Sequence, residues 1–271
     1  MNVPPTIVPH QRREWMCRLF RWYTRRLIRK SFNAMRIDRA GADVLRNLDT
    51  HDGPTMVLLT HSSWWDPIIS VVLVDRFAPR RQVIAPMDRA MLERFEFMRR
   101  LGLFGVDPDD PAAFRDMVRY AADECAQLPN PSFWLTPQGG FTDVREPIEL
   151  RPGAAAIAAR LGREGMPPRV ACVAIELVFW GERTPELLTL ARPCPAPMRP
   201  STGEWQRAMT DALRAAAGDL AERSIARDAS AFETIVGRGD AGMHPVYDLY
   251  LRAIGKEARV RDRRDAAEVA P

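Results

Sequence analysis

The chain has 271 residues, of which 46% are hydrophobic and 27% charged, a length suited to one α/β domain with appendages and to a large core. No apolar run approaches the roughly 18 residues that suggest a membrane-spanning helix, so composition excludes a helical span and fits a soluble or membrane-peripheral globular protein. The net charge of +4 hides an asymmetry: residues 1–40 carry ten basic side chains against two acidic ones, Glu14 and Asp38, so the remainder is net acidic by four.

From the start, "NVPPTIVPHQRREW" lacks the charged-then-apolar order of a secretory signal, and no export is expected. Residues 11–37, free of proline and glycine, repeat Met16, Phe20, Tyr23 and Leu27 at helical spacing, with Trp15, Leu19 and Trp22 alongside. This predicts a basic amphipathic helix. Aromatics flanked by arginines suit the headgroup region of an anionic membrane; the alternative is a helix packed on the domain by its aromatic face. No nucleic-acid module accompanies the charge, so nucleic acid is not expected as a partner.

From Thr55 onward, short apolar runs alternate with longer helical patterns. Strands are predicted at residues 55–60, 81–86, 103–106, 132–136, 169–179 and 187–191, and helices at 67–77, 88–100, 111–128 and 153–163. Such alternation argues for a single α/β domain with a central sheet flanked by helices. A proline-rich break precedes a helical stretch from Trp205 to Arg227, and "KEARVRDRRDAAEVAP" reads as a frayed tail. The division expected is 1–40 as a basic membrane-facing segment, 41–230 as the main domain, and 231–271 as a C-terminal helix and flexible tail.

The four cysteines, Cys17, Cys125, Cys172 and Cys194, are scattered without a C-x-x-C pair, which indicates neither zinc nor a disulfide framework. Asp107, Asp109 and Asp110 lack a nearby histidine, and Asp110-Pro111 has the form of a helix start, so no metal site is predicted.

"LLTHSSWWDP" places His61 and Asp66 directly after a buried apolar run, at the carboxyl end of a strand, where open α/β sheets form binding crevices. An imidazole there could take a proton from a substrate hydroxyl if a carboxylate fixed its tautomer. Equally, Asp66-Pro67 could merely cap the following helix. A second polar turn, "FWLTPQGGFTDVRE", opens at the same edge if the strands are parallel, with Gly139 and Gly140 letting backbone approach a ligand. No G-x-S-x-G nucleophile elbow occurs.

The ordered blocks THSSWWDP, LGLFGVDPDD, FWLTPQGGFTD with LRPGAAAIA, and RVACVAIELVFWGERTPELLTLARP, spanning about residues 55–193, resemble the glycerolipid and lysophospholipid acyltransferases of the His-x4-Asp type. The resemblance implies a central mixed, mostly parallel sheet. It implies His61 as general base and Asp66 as its orienter in moving an acyl group from acyl-CoA or acyl carrier protein to a hydroxyl, with no cofactor and no covalent acyl-enzyme. A peripheral protein on the cytoplasmic membrane face, acting on a lipid or glycolipid acceptor, follows from it.

The chain departs from the family pattern twice. Pro108 follows Asp107 where an arginine is usual, and Pro137-Gln138-Gly139-Gly140-Phe141 stands where Pro-Glu-Gly-Thr-Arg is usual. Either Arg145 and Arg151 bind an acceptor phosphate from displaced positions, or the acceptor lacks a phosphate and Gln138 meets a neutral hydroxyl. Trp64 and Trp65 are candidates for the acyl channel, with core or interface filling as the alternative. Thioester hydrolysis at the same dyad, and a non-catalytic lipid-binding role on a degenerate fold, remain as other readings.

Overall fold

The structure, a computed structural model, describes residue 4 and residues 6–180, 184–237 and 253–254. Its frame is an eight-stranded sheet of β1 (Ala34–Asp38), β2 (Thr55–Leu59), β3 (Gln82–Asp88), β4 (Leu103–Val106), β5 (Pro131–Leu135), β6 (Arg169–Val178), β7 (Glu186–Cys194) and β8 (Phe232–Gly237), in the order β4-β3-β5-β2-β6-β7-β1-β8. The run β4-β3-β5-β2-β6 is parallel throughout, whereas β7 pairs antiparallel to β6 and β8 antiparallel to β1. The mixed, mostly parallel sheet expected from the sequence is therefore present.

Helices cover both faces, as a sheet with two apolar surfaces requires. Along β2, Met56 and Leu58 enter one core with α5 (Pro111–Gln127), α6 (Gly153–Arg163) and α7 (Thr202–Ala226). Val57 and Leu59 enter the other, with α1 (Glu14–Ser31), α2 (Arg39–Asp49) and α3 (Asp66–Phe77). The period of two along an extended chain makes this partition. The alanine run of α6 is core, buried from Ala154 to Ala159, and it lets that helix pack closely on the sheet side.

Two local expectations need correction. The helix read over 11–37 stops at Ser31: Phe32 is extended, Asn33 is tied through its backbone N–H to Pro185 and through its side-chain amide to Glu186, and Ala34–Asp38 form β1. Pairing with β7 and β8 overrides the helical spacing. The helix read over 88–100 is a short α4 (Arg89–Arg94) followed by a 3-10 turn (Glu96–Leu101). Residues 232–237 form the strand β8, and the C-terminal helix and tail expected after it fall largely outside the described residues, of which Ala253 is helical.

Helix α1 both packs on the domain and keeps an aromatic face in solvent. Thr24 and Ile28 are buried, and Arg21 and Arg25 reach Asp75 of α3 at 3.8 and 3.2 Å. Trp15, Leu19 and Trp22, spaced four and three residues apart, are 59%, 55% and 61% exposed, with Arg26 over the Trp22 ring. Met16 and Phe20 are less exposed than that stripe. Among the described residues no helix is long and apolar enough to cross a membrane.

Candidate active site

Two loops converge beside the longer strand β6 where β2 and β5 end. The pairings Leu58↔Leu135 and Leu59↔Val173 align the ends of β2 and β5 with the middle of β6, which runs on to Val178, so His61, the 137–142 turn and Glu176 of β6 lie together. Thr60 continues β2 against β6: its N–H donates to the Val173 carbonyl at 3.0 Å, and its hydroxyl accepts from the Ile175 N–H at 3.0 Å. That register fixes where the chain turns into His61.

His61 Nδ1 lies 3.0 Å from Asp66 Oδ2. The Asp66 side chain has no exposed surface, while that of His61 retains 16%. The same Oδ2 accepts the backbone N–H groups of Ser62 and Ser63 at 2.7 and 2.8 Å, and Oδ1 accepts the Ser63 hydroxyl at 3.0 Å. A buried carboxylate is tolerated when such donors replace its water, and its place in the first turn of α3 adds the favourable end of the helix dipole. The simple capping alternative does not hold, because the carboxylate turns back onto the loop that carries His61 instead of capping the N–H groups of α3. A carboxylate accepts only, so Nδ1 must donate and the neutral ring keeps Nε2 as its free base. Nε2 has no partner among the described residues.

A second strap holds the loops together. The His61 N–H donates to Gln138 Oε1 at 2.8 Å, the Thr142 N–H donates to the His61 carbonyl at 2.8 Å, and the Gln138 amide nitrogen donates to the Thr142 hydroxyl. The Gln138 amide thus bonds within the protein at both its oxygen and its nitrogen, which makes it a brace for His61, and it also lines the cleft. Gly139 takes φ 76°, and a Cβ there would collide with the Arg151 side chain that crosses it. Gly140 faces open space.

The remaining candidates separate. Arg145 is engaged by Asp143 through both its Nε and Nη2, at 2.7 and 2.8 Å, on an exposed turn, and this pairing holds the Asp143 carboxyl below the usual range. Neither Arg145 nor Arg151 lines the cleft beside His61. Trp64 is 67% exposed and its ring lies 5.2 Å from that of Phe141, which in turn sits 4.4 Å from the His61 ring. Trp65 instead packs edge-on to Phe32 at 4.7 Å, against the α1–α3 core. Asp110 caps α5 through the Ala112 N–H at 2.7 Å, and no cluster suited to a metal occurs among the described residues.

Two cleft residues escaped the sequence reading. Glu176 lines the cleft with His61, and burial raises its carboxyl pKa against the Ser224 hydroxyl, which lowers it. The signal for it was a carboxylate interrupting the apolar run "VAIELVF" of β6. The Ser62 hydroxyl also lines the cleft, buried and without a hydrogen-bond partner. Ser63 is occupied by Asp66 and by the Trp65 N–H.

No protein-family model and no curated protein matches the sequence. Among solved structures, the chain is similar to the 1-acyl-sn-glycerophosphate acyltransferase PlsC from Thermotoga maritima, with a TM-score of 0.54 over 78% of this chain and 81% of that one, at 15% identity. At that identity the likeness is one of fold: a single α/β domain with a mixed sheet flanked by helices.

Replacing Asp66 by Ala strands two part-buried N–H groups, those of Ser62 and Ser63, and should destabilise the chain by about 2 kcal/mol. Asp66→Asn, of equal shape, should cost less, and urea unfolding of the two variants gives the comparison. Equal midpoints for wild type and Asp66→Ala would contradict the anchoring role.

Proposed function

We propose that the chain is a membrane-associated O-acyltransferase that moves a fatty acyl group from acyl-CoA or acyl carrier protein to a hydroxyl of an amphiphilic acceptor. The observation that carries this reading is the His61–Asp66 contact, with the carboxylate fully buried and the far ring nitrogen unpartnered. The fold likeness to a lysophosphatidate acyltransferase supports it, and so do the ordered sequence blocks.

His61 Nε2 takes the acceptor hydroxyl proton while the oxygen attacks the thioester carbonyl. Asp66 holds the ring in the Nδ1–H tautomer and stabilises the imidazolium that forms. Collapse of the tetrahedral intermediate expels the thiolate, to which the imidazolium returns the proton. Direct transfer of this kind needs no serine nucleophile, consistent with a Ser63 hydroxyl bound to Asp66 and a Ser62 hydroxyl without a contact to His61.

The site of action is the cytoplasmic membrane surface, with α1 as the contact. Its exposed tryptophans would enter the headgroup region while Arg18 and Arg26 meet anionic phosphates.

His61→Ala should lower acyl transfer from a supplied thioester by about 100-fold or more with the fold intact by circular dichroism; unchanged turnover rules out the mechanism. The pair Trp15→Ala and Trp22→Ala should weaken binding to vesicles containing phosphatidylglycerol, and salt should weaken wild-type binding. Binding indifferent to both would remove α1 as the membrane contact.

A further inference from the structure

The loop that carries the dyad rests on an aromatic contact outside the cleft. Trp65 stands between Ser63 and Asp66 at the start of α3. The ring of Phe32, just past the end of α1 and 2% exposed, meets the Trp65 ring edge-on, with centroids 4.7 Å apart and planes at 84°. Edge-to-face pairs at this spacing are attractive and directional, so Phe32 sets where the indole sits as well as burying it.

A short run of bonds leads from Trp65 to the imidazole. Its backbone N–H donates to the Ser63 hydroxyl oxygen at 3.2 Å, that hydroxyl donates to Asp66 Oδ1 at 3.0 Å, and Asp66 Oδ2 faces His61 Nδ1 at 3.0 Å. The Trp65 carbonyl accepts from the Ile69 N–H at 2.8 Å, which ties the same residue to the first turn of α3. Trp65 therefore cannot shift without disturbing either the hydroxyl that holds one carboxylate oxygen or the turn that carries the carboxylate.

Phe32 in turn has little freedom. Its N–H closes α1 on the Ile28 carbonyl at 2.9 Å, and the next residue, Asn33, is bound to Pro185 and to Glu186 at the start of β7. At the other end of α3, Asp75 receives Arg21 and Arg25 of α1. Helix α1 is thus fastened along the whole of α3, with its Phe32 end beside the dyad.

From this arrangement we infer that Phe32 and Trp65 are positioning residues for the His61–Asp66 dyad, so that α1 buttresses the active site through Phe32, a role separate from its exposed tryptophan stripe. Truncating Phe32 opens a cavity beside the indole, and a Trp65 that settles into it carries Ser63 and Asp66 with it. Misplacement of a general base by about 1 Å is costly in rate. The inference rests on the acyltransferase reading for its kinetic consequence, while the geometry of the dyad tests it without that reading.

The test compares Phe32→Ala with Phe77→Ala in the full chain. Phe77 lies at the opposite end of α3, is also 2% exposed and belongs to the same core, so its truncation makes a cavity away from the dyad and calibrates a merely structural loss. Under conditions where urea unfolding shows both variants folded, nitrogen-15 NMR with labelled histidine should find the neutral His61 ring protonated on Nδ1 alone in Phe77→Ala, and divided between the Nδ1–H and Nε2–H forms in Phe32→Ala. With a supplied acyl thioester and hydroxyl acceptor, kcat should fall about tenfold in Phe32→Ala with KM changed by less than about twofold, and should stay within about twofold in Phe77→Ala. Phe32→Leu, which refills most of the space, should restore most of the lost kcat. Trp65→Phe, a milder truncation of the other ring, should move kcat and the tautomer in the same direction, which keeps the test in force should Phe32→Ala not fold. A wild-type tautomer retained in Phe32→Ala, or an equal loss of kcat in the two alanine variants, overturns the positioning role. A wild type that transfers no acyl group to a hydroxyl defeats the acyltransferase reading, and the tautomer comparison then decides the positioning role by itself.

Discussion

The buried carboxylate of Asp66 is the constraint on which the site depends. An ionised group without exposed surface must have its lost water replaced, and here two backbone N–H groups, a hydroxyl and an imidazole N–H do so. Those donors all come from residues 61–63, so satisfying the charge also fixes the loop. The orientation of the His61 ring therefore follows from solvating Asp66, while Gln138 and Thr142 hold its backbone.

The sheet supplies the second requirement, which is convergence. Parallel pairing of β2 with both β5 and β6 sends two chain segments out of one edge beside the continuing strand β6, a geometry that antiparallel neighbours would scatter to opposite ends. Gln138 and Thr142 then close the gap between these two segments by bonding to the His61 backbone. Glu176 lines the cleft beside them, the rings of Phe141 and Trp64 stand exposed next to His61, Arg145 is engaged by Asp143, and the Arg151 side chain crosses Gly139.

Elements with strong local patterns were legible from the residues alone. The central strands, α5 with its Asp110 cap, and the alanine-rich α6 declare themselves by period and by boundary residues. The dyad was legible as a spacing whose meaning needed the resemblance, since capping by Asp66 fits the same letters. Strands β1 and β8 were not legible: "AMRID" follows a helical pattern without a break, and its extended form comes from neighbours about 150 and 200 residues away in sequence. Gln138 and Trp65 show the same limit within the site, because a side chain's partners lie across loops that the sequence does not place.

The central claim is that the imidazole is held as a base with its outer nitrogen bare, and nitrogen-15 NMR of the wild-type chain with labelled histidine reads this directly. The neutral His61 ring should carry its proton on Nδ1, hydrogen-bonded to Asp66, with Nε2 showing the shift of an unprotonated nitrogen. A proton found on Nε2 in the neutral ring would leave no base facing the cleft and would contradict the account.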